Sequence, residues 1–133
     1  MVFEARVRID YETDIVTARQ KGRELAREAG FSGSDLALIA TAISEIARNI
    51  IIYAVKGEIV LGVARKDGRT GIVVIAKDEG PGIPNIEKAM EDGFSTGKSL
   101  GLGLPGAKRL MDEFNIISSV GAGTTVTMKK WVA

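Results

Sequence analysis

Residues 58–82 read Glu58-Ile-Val-Leu-Gly-Val-Ala-Arg65, then Lys66-Asp67-Gly68-Arg69, then Gly71-Ile-Val-Val-Ile-Ala-Lys77, then Asp78-Glu-Gly-Pro-Gly82. Two runs rich in β-branched residues flank Asp-Gly, the pair that a tight hairpin favours because both central residues tolerate a positive φ. An antiparallel strand pair is therefore predicted over Glu58–Arg65 and Gly71–Lys77. Asp78–Pro84 reads as a Gly/Pro loop that leaves a carboxylate at the strand end over permissive backbone.

Upstream, Phe3–Asp10 alternates, with Phe3, Ala5, Val7 and Ile9 on one side, and predicts a half-buried strand. Thr13 or Asp14 can cap a helix whose stripe is Ile15, Ala18, Gly22, Leu25 and Ala29 and which ends at Gly30. Ser34 opens a second helix with Asp35 in its first turn and Leu36, Ile39, Ile43, Ile46 and Ile50 as its apolar stripe. Downstream, a short helix is expected over Ile86–Glu91, a polar stretch over Asp92–Ser99 and a third long helix over Leu102–Glu113. Asn115–Val120 and Thr124–Val132 then close as a hairpin across Gly121-Ala122-Gly123. Antiparallel pairs combined with helices on one face predict a two-layer α+β sandwich with a mixed, mostly antiparallel sheet.

The 133 residues suit one domain spanning 1–133. Lys plus Arg number 18 against 17 Asp plus Glu, so no net field favours nucleic acid or an anionic membrane. No uninterrupted apolar run reaches the ~18 residues of a membrane span, and the start is unlike a signal peptide. With no Cys, disulfide and thiolate chemistry are excluded, which fits a cytoplasmic setting. With no His, a Ser-His-Asp relay and a His-ligated metal are excluded too. What remains is chemistry on carboxylates, amides, backbone groups and a hard metal held by oxygens.

Glu45 and Asn49 stand four apart on the second helix, roughly opposite Ile43 and Ile50. A carboxylate beside a carboxamide can take a proton from a hydroxyl or hold Mg²⁺ through oxygen, although a solvated polar face would give the same spacing. Asp78 can accept a hydrogen bond from an adenine amino group, with Gly80 and Gly82 letting a base lie close. Gly101, Gly103 and Gly106 run into the start of the third helix, where free N–H groups and the positive dipole end suit phosphates. That run spells GxGxxG, but neither a preceding strand nor a βαβ unit surrounds it, so a Rossmann reading fails. Gly93–Ser99 falls one residue short of a Walker A loop.

In order, E-x-x-x-N on a helix, D-x-G-x-G-I after a strand, G-x-G-L-x-G into a helix and G-x-G-T-T resemble the GHKL superfamily of gyrase, Hsp90, histidine kinases and MutL. Within it the chain is similar to the small anti-sigma-factor serine kinases of the stressosome-switch type. The wording that carries this is Ala42-Ile-Ser-Glu-Ile-Ala-Arg-Asn49, Asp78-Glu-Gly-Pro-Gly-Ile-Pro84, Met90-Glu-Asp-Gly-Phe-Ser-Thr96 and Leu104-Pro-Gly-Ala-Lys-Arg-Leu-Met-Asp112.

The resemblance implies a Bergerat fold, ATP and Mg²⁺, with Glu45 as general base and Asn49 as the metal ligand. It implies that Asp78 reads the adenine, that Gly80 and Gly82 line its pocket, and that Gly101 and Gly103 meet the phosphates. Thr125 would add a hydrogen bond near the base. Asp92–Ser99 would be the ATP lid, with Lys98 either on phosphate or in solvent. The implied activity is phosphorylation of Ser or Thr on STAS-domain scaffold or antagonist proteins, with binding and activation of a PP2C-type phosphatase, and no nucleic-acid or membrane partner. A second reading is a nucleotide-gated module that sequesters or activates a partner without essential phosphotransfer. A clamp ATPase of the gyrase or MutL sort would need a transducer domain.

Overall fold

Asp67 and Gly68 turn the chain with φ of 54° and 78°, and Lys66 pairs with Arg69 on either side of them. This is the two-residue hairpin that Asp-Gly predicts. It joins the two central strands of the computed structural model, which describes residues 2–54, 56–83, 86, 90 and 103–133.

The elements are β1 (Val2–Ile9), α1 (Glu12–Ala29), α2 (Ser34–Tyr53), β2 (Gly57–Lys66), β3 (Arg69–Asp78), α3 (Gly103–Leu110), β4 (Glu113–Ser119) and β5 (Gly123–Trp131). The strands lie in the order β1-β2-β3-β5-β4. All four ladders are antiparallel, so the mostly antiparallel sheet expected from the sequence is antiparallel throughout among the described residues. One sheet face carries Val7, Ile9, Ile59, Leu61, Ile72, Val74, Val126 and Met128, which are buried in one cluster with the helices. α1 and α2 both pack on β1, β2 and β3, and α2 also packs on α3. The other, open face carries no helix among the described residues, although Val60 and Val73 on it are buried. Its row nearest Asp78 runs Arg8, Glu58, Lys77, Thr125 and Ile117 across all five strands. The result is the expected α+β sandwich of two layers.

α2 lies at the centre of the helical layer. Its residues Leu36, Ile39, Ala40, Ala42, Ile43, Ser44, Glu45, Ile46, Ala47 and Ile50 are buried, far more than one stripe. Among the described residues it is the helix long and apolar enough to cross a membrane, with a mean hydropathy of 1.5. Its apolar surface is consumed by α1, α3 and the sheet instead.

Three local expectations change. Phe3 does not share a face with Ala5, because the register shifts between them: Phe3 pairs with Gly62 and Ala5 with Leu61. That bulge turns Phe3 onto the open face, where it is half exposed. Asp14 is not the first cap of α1. It stands inside the first turn, and its Oδ2 accepts hydrogen bonds of 2.9 Å from the amides of both Asp10 and Tyr11. The third helix ends at Leu110 rather than Glu113, because β5 captures the chain there. Lys130 Nζ donates to the Leu110 carbonyl at 3.0 Å, and the Asp112 amide donates to the Lys129 carbonyl at 2.9 Å. The helix expected over Ile86–Glu91 lies largely outside the described residues.

Candidate active site

Glu45 is not on a solvated face. It is 2% exposed, and its Oε2 accepts a 2.9 Å hydrogen bond from the amide of Gly103, the first residue of α3. Arg48, one turn further along α2, brings Nη1 to 3.7 Å from Oε1. Burying a carboxylate is costly unless donors meet it, and here an amide and a guanidinium do so. Arg48 was not singled out above, although its i+3 spacing from Glu45 is visible in the sequence. Asn49 follows, half-buried.

Asp78 ends β3. Its Oδ1 accepts from the amide of Gly80 at 2.9 Å and from that of Thr124 at 3.2 Å. Two protein donors on one oxygen fix the carboxylate plane and leave Oδ2 for a ligand donor. A Cβ on Gly80 would lie 2.6 Å from the Cβ of Ala54, so the loop after β3 rests on the C-terminal end of α2. Ala54 is nine residues beyond Glu45, about 13 Å along a helix axis. α2 thus spans the site, with the Glu45–Gly103 contact at one end and the Asp78 loop at the other.

The Asp78 loop is locked to the β4–β5 hairpin. Gly82 has φ +80°, and a Cβ there would overlap the carbonyl of Ser119. The Gly121 amide donates to the Pro81 carbonyl at 2.9 Å, and the Ile83 amide donates to Ser118 Oγ at 2.7 Å. Gly80 and Gly82 therefore let the loop approach α2 and the hairpin closely.

Strand alternation separates two residues that adjoin in sequence. Asp78 pairs with Thr124, and Lys77 pairs with Thr125. Thr124 is accordingly on Asp78's face, buried, with Oγ1 2.8 Å from Ser118 Oγ. Thr125, the residue named above as the base contact, points to the open face and lines a depression of about 470 Å³ with Arg8, Lys56 and Lys77, whose rim Asp78 at the strand end also reaches. The structure thus puts Thr124, rather than Thr125, beside the Asp78 carboxylate. Because each ladder partner lies on β3, more than forty residues away, no local pattern separates the two threonines.

Gly101, Lys98 and the Asp92–Ser99 lid lie outside the described residues. Among the described residues, no group of three Asp or Glu side chains could cage a metal. Mg²⁺ in phosphoryl-transfer sites takes few protein ligands and completes its shell with phosphate and water oxygens. The Asn49 carboxamide, a hard oxygen donor one turn from Glu45, fits that requirement.

Comparison with known proteins agrees with this geometry. Residues 9–130 match the family described as histidine kinase-like ATPase domain. The chain is 56% identical over 126 residues to the serine/threonine-protein kinase RsbT of Bacillus subtilis (strain 168), covering 95% of each. It is 38% identical over 104 residues to an anti-sigma F factor of Caldanaerobacter subterraneus subsp. tengcongensis, covering 74% of this chain and 71% of that protein. Among solved structures it shares the fold of the mycobacterial sensor histidine kinase MprB at a TM-score of 0.56 and 16% identity, covering 98% and 97% of the two chains. With a buried carboxylate on one helix, a strand-end Asp braced by glycines and a helix start facing that carboxylate, the chain belongs to the histidine kinase-like ATPase domain family, the GHKL type.

Proposed function

We propose that this protein kinase transfers the γ-phosphoryl group of ATP to a serine or threonine hydroxyl on a STAS-domain partner in a bacterial sigma-factor switch. The observation that carries the reading is Glu45: a carboxylate 2% exposed, held on the amide at the start of α3. The likeness to RsbT supports the serine/threonine kinase activity, and the likeness to an anti-sigma F factor supports a place in sigma-factor regulation.

On this reading the adenine amino group donates to Asp78, and the nucleotide lies along α2 with its phosphates at the start of α3. Gly101 would supply an amide where negative charge must be met, whereas the Gly103 amide is already given to Glu45. Asn49 would hold Mg²⁺, which supplies charge neutralisation on the phosphates when bound. The acceptor hydroxyl gives its proton to Glu45 as its oxygen bonds to the γ-phosphorus. The bond from that phosphorus to the bridging oxygen breaks, and ADP leaves with the electron pair. Glu45 then returns the proton to solvent. The buried setting excludes water that would compete with the acceptor.

The same reading makes STAS-domain scaffold or antagonist proteins the phosphoacceptors. It adds a PP2C-type phosphatase as a second partner, a stressosome as the setting and the cytoplasm as the compartment. Incubation with γ-labelled ATP, Mg²⁺ and purified STAS-domain proteins tests it: label on a Ser or Thr of one of them is expected. Tight nucleotide-dependent binding of a partner, with no label transferred, would instead establish the second reading. That reading, a nucleotide-gated module, draws its support from the 38% likeness to an anti-sigma F factor.

A further inference from the structure

Glu45, Arg48 and Asn49 follow one another along α2 at i, i+3 and i+4, so a guanidinium shares one turn with the proposed base and the proposed metal ligand. Arg48 Nη1 stands 3.7 Å from Glu45 Oε1. That distance makes an ion pair and is too long for a hydrogen bond, so Oε1 takes none of the five N–H donors that a guanidinium carries. The amide of Gly103 is hydrogen-bonded to the other oxygen, Oε2. Arg48 is also the outer member of the pair, with a side chain 27% exposed against 2% for Glu45. An anion can therefore reach the guanidinium without displacing the carboxylate.

With Oε2 committed to the Gly103 amide, Oε1 has the lone pairs for the acceptor's proton, and Oε1 is the oxygen that Arg48 faces. A general base stands about 2.6–3.2 Å from the oxygen it deprotonates, and that oxygen about 3–3.5 Å from the atom it attacks. The γ-phosphorus of bound ATP is therefore within about 7 Å of Oε1. Its oxygens fall inside the reach of a guanidinium held 3.7 Å from the same point. A phosphoryl group carries more charge than one carboxylate oxygen, and its paired oxygens match the planar fork. We infer that Arg48 is a further catalytic residue, which passes from Glu45 Oε1 to the γ-phosphoryl oxygens when ATP binds. There it steadies the charge that spreads over them during transfer, and its departure uncovers the lone pair that takes the acceptor's proton. Arg48 keeps all its protons throughout and exchanges only the anion it pairs with. This rests on the nucleotide reading given above, and adds that ATP is told from ADP at this residue, since ADP lacks the γ-phosphoryl.

Calorimetric titration of the full chain with MgATP and MgADP tests it. In Arg48→Gln, ATP affinity is expected to fall about ten- to hundredfold, the scale of a hydrogen bond to a charged group, while ADP affinity stays within about threefold. Arg48→Lys keeps the charge without the fork, and should retain part of the ATP-to-ADP ratio. Transfer to a STAS-domain acceptor at saturating ATP should fall by about 10²-fold or more in Arg48→Gln. The deciding comparison is made on Glu45→Gln, where no buried carboxylate needs a counter-charge. Adding Arg48→Gln to that variant should still lower the ratio, because the phosphate contact does not depend on Glu45. The same pair of chains is read if Arg48→Gln alone fails to fold. An unmoved ratio on the Glu45→Gln background, or equal weakening of ATP and ADP, would show that Arg48 only neutralises Glu45 and would overturn the inference. The two levels separate in the wild-type titration. Failure of the wild-type chain to bind MgATP removes the nucleotide reading itself, whereas binding there with a ratio unmoved by Arg48→Gln removes only the role of Arg48.

Discussion

The carboxylate of Glu45 takes a 2.9 Å hydrogen bond from the amide of Gly103, 58 residues further along the chain. This contact joins the middle of α2 to the first residue of α3, the same helix start that is proposed to meet phosphate. Base and phosphate cradle are therefore not independent features. The amide that fixes the carboxylate belongs to the helix start proposed to meet the phosphates, so on that reading the site would be oriented as one unit.

Glu45→Gln tests the chemical role directly. The side chain keeps its shape and an oxygen able to accept from Gly103, but loses its capacity to take a proton. Phosphoryl transfer to a STAS-domain acceptor should fall by ~10²–10⁴-fold, while ATP affinity stays within about threefold of wild type. A rapid-quench assay at saturating ATP, paired with calorimetry, reads both quantities. Full-rate transfer would take Glu45 out of the mechanism.

Two glycines with positive φ should respond differently to alanine. At Gly103, φ is +53°, and a Cβ would meet only Pro105 Cδ at 3.7 Å, an ordinary contact. Gly103→Ala should therefore cost only the left-handed backbone penalty, about 1–2 kcal/mol. At Gly82 the φ of +80° is joined by overlap with the Ser119 carbonyl, which belongs to a strand and cannot turn aside. Gly82→Ala should lower Tm clearly more than Gly103→Ala in thermal unfolding. The reverse order would mean that the loop and the hairpin are not locked as described.

Asp14 makes stability sensitive to acid. Hydrogen bonds from the amides of Asp10 and Tyr11, with Arg8 nearby, hold its carboxyl below the ordinary value of 3.8, against a smaller opposing effect of desolvation. A lowered folded pKa means the ionised form is favoured in the folded state. The contribution is thus fully present above about 3.8, and is lost as pH falls through the lower folded value. Asp14→Asn should be less stable than wild type at pH 7, and the two unfolding curves should converge as pH drops below about 3.8. A gap independent of pH from 7 to 2 would assign the loss to helix capping by shape alone.

Features set by neighbouring residues were legible in the sequence, and features set by distant ones were not. Asp67-Gly68 dictates its turn through backbone preference, and Ile15, Ala18, Gly22 and Leu25 mark the buried stripe of α1 through their spacing. The Glu45–Asn49 and Asp78–Gly80–Gly82 patterns were visible for the same reason. The burial of Glu45 was not, because it depends on α3 packing against α2, and the spacing by itself suits a wet face equally well. Phe3 was assigned to the wrong face because a bulge inverts alternation without leaving a mark in composition. Ser118 was overlooked because its importance lies in three partners up to 35 residues away.

The sharpest case is the pair Thr124 and Thr125, where register alone decides which residue can serve the site. Asp78 stands opposite Thr124, and Lys77 opposite Thr125, so successive side chains on β5 leave the sheet in opposite directions. Thr124 is buried beside the Asp78 carboxylate, whereas Thr125 lines the open-face depression with Arg8, Lys56 and Lys77. Valine matches threonine in shape and replaces only the hydroxyl, so each substitution isolates one hydrogen-bonding group. Thr124→Val removes the hydroxyl that Ser118 Oγ meets at 2.8 Å, and should weaken ATP binding by about five- to twentyfold, the range expected for one buried hydrogen bond. Thr125→Val changes a side chain on the far face of the sheet, and should leave ATP affinity within about twofold while preserving the fold. Calorimetric titration of both variants with MgATP, alongside their melting temperatures, decides the matter. If Thr125→Val weakens binding and Thr124→Val does not, the nucleotide does not lie on the helical face of the sheet at Asp78, and the base pocket must be sought around Arg8 and Lys77 instead.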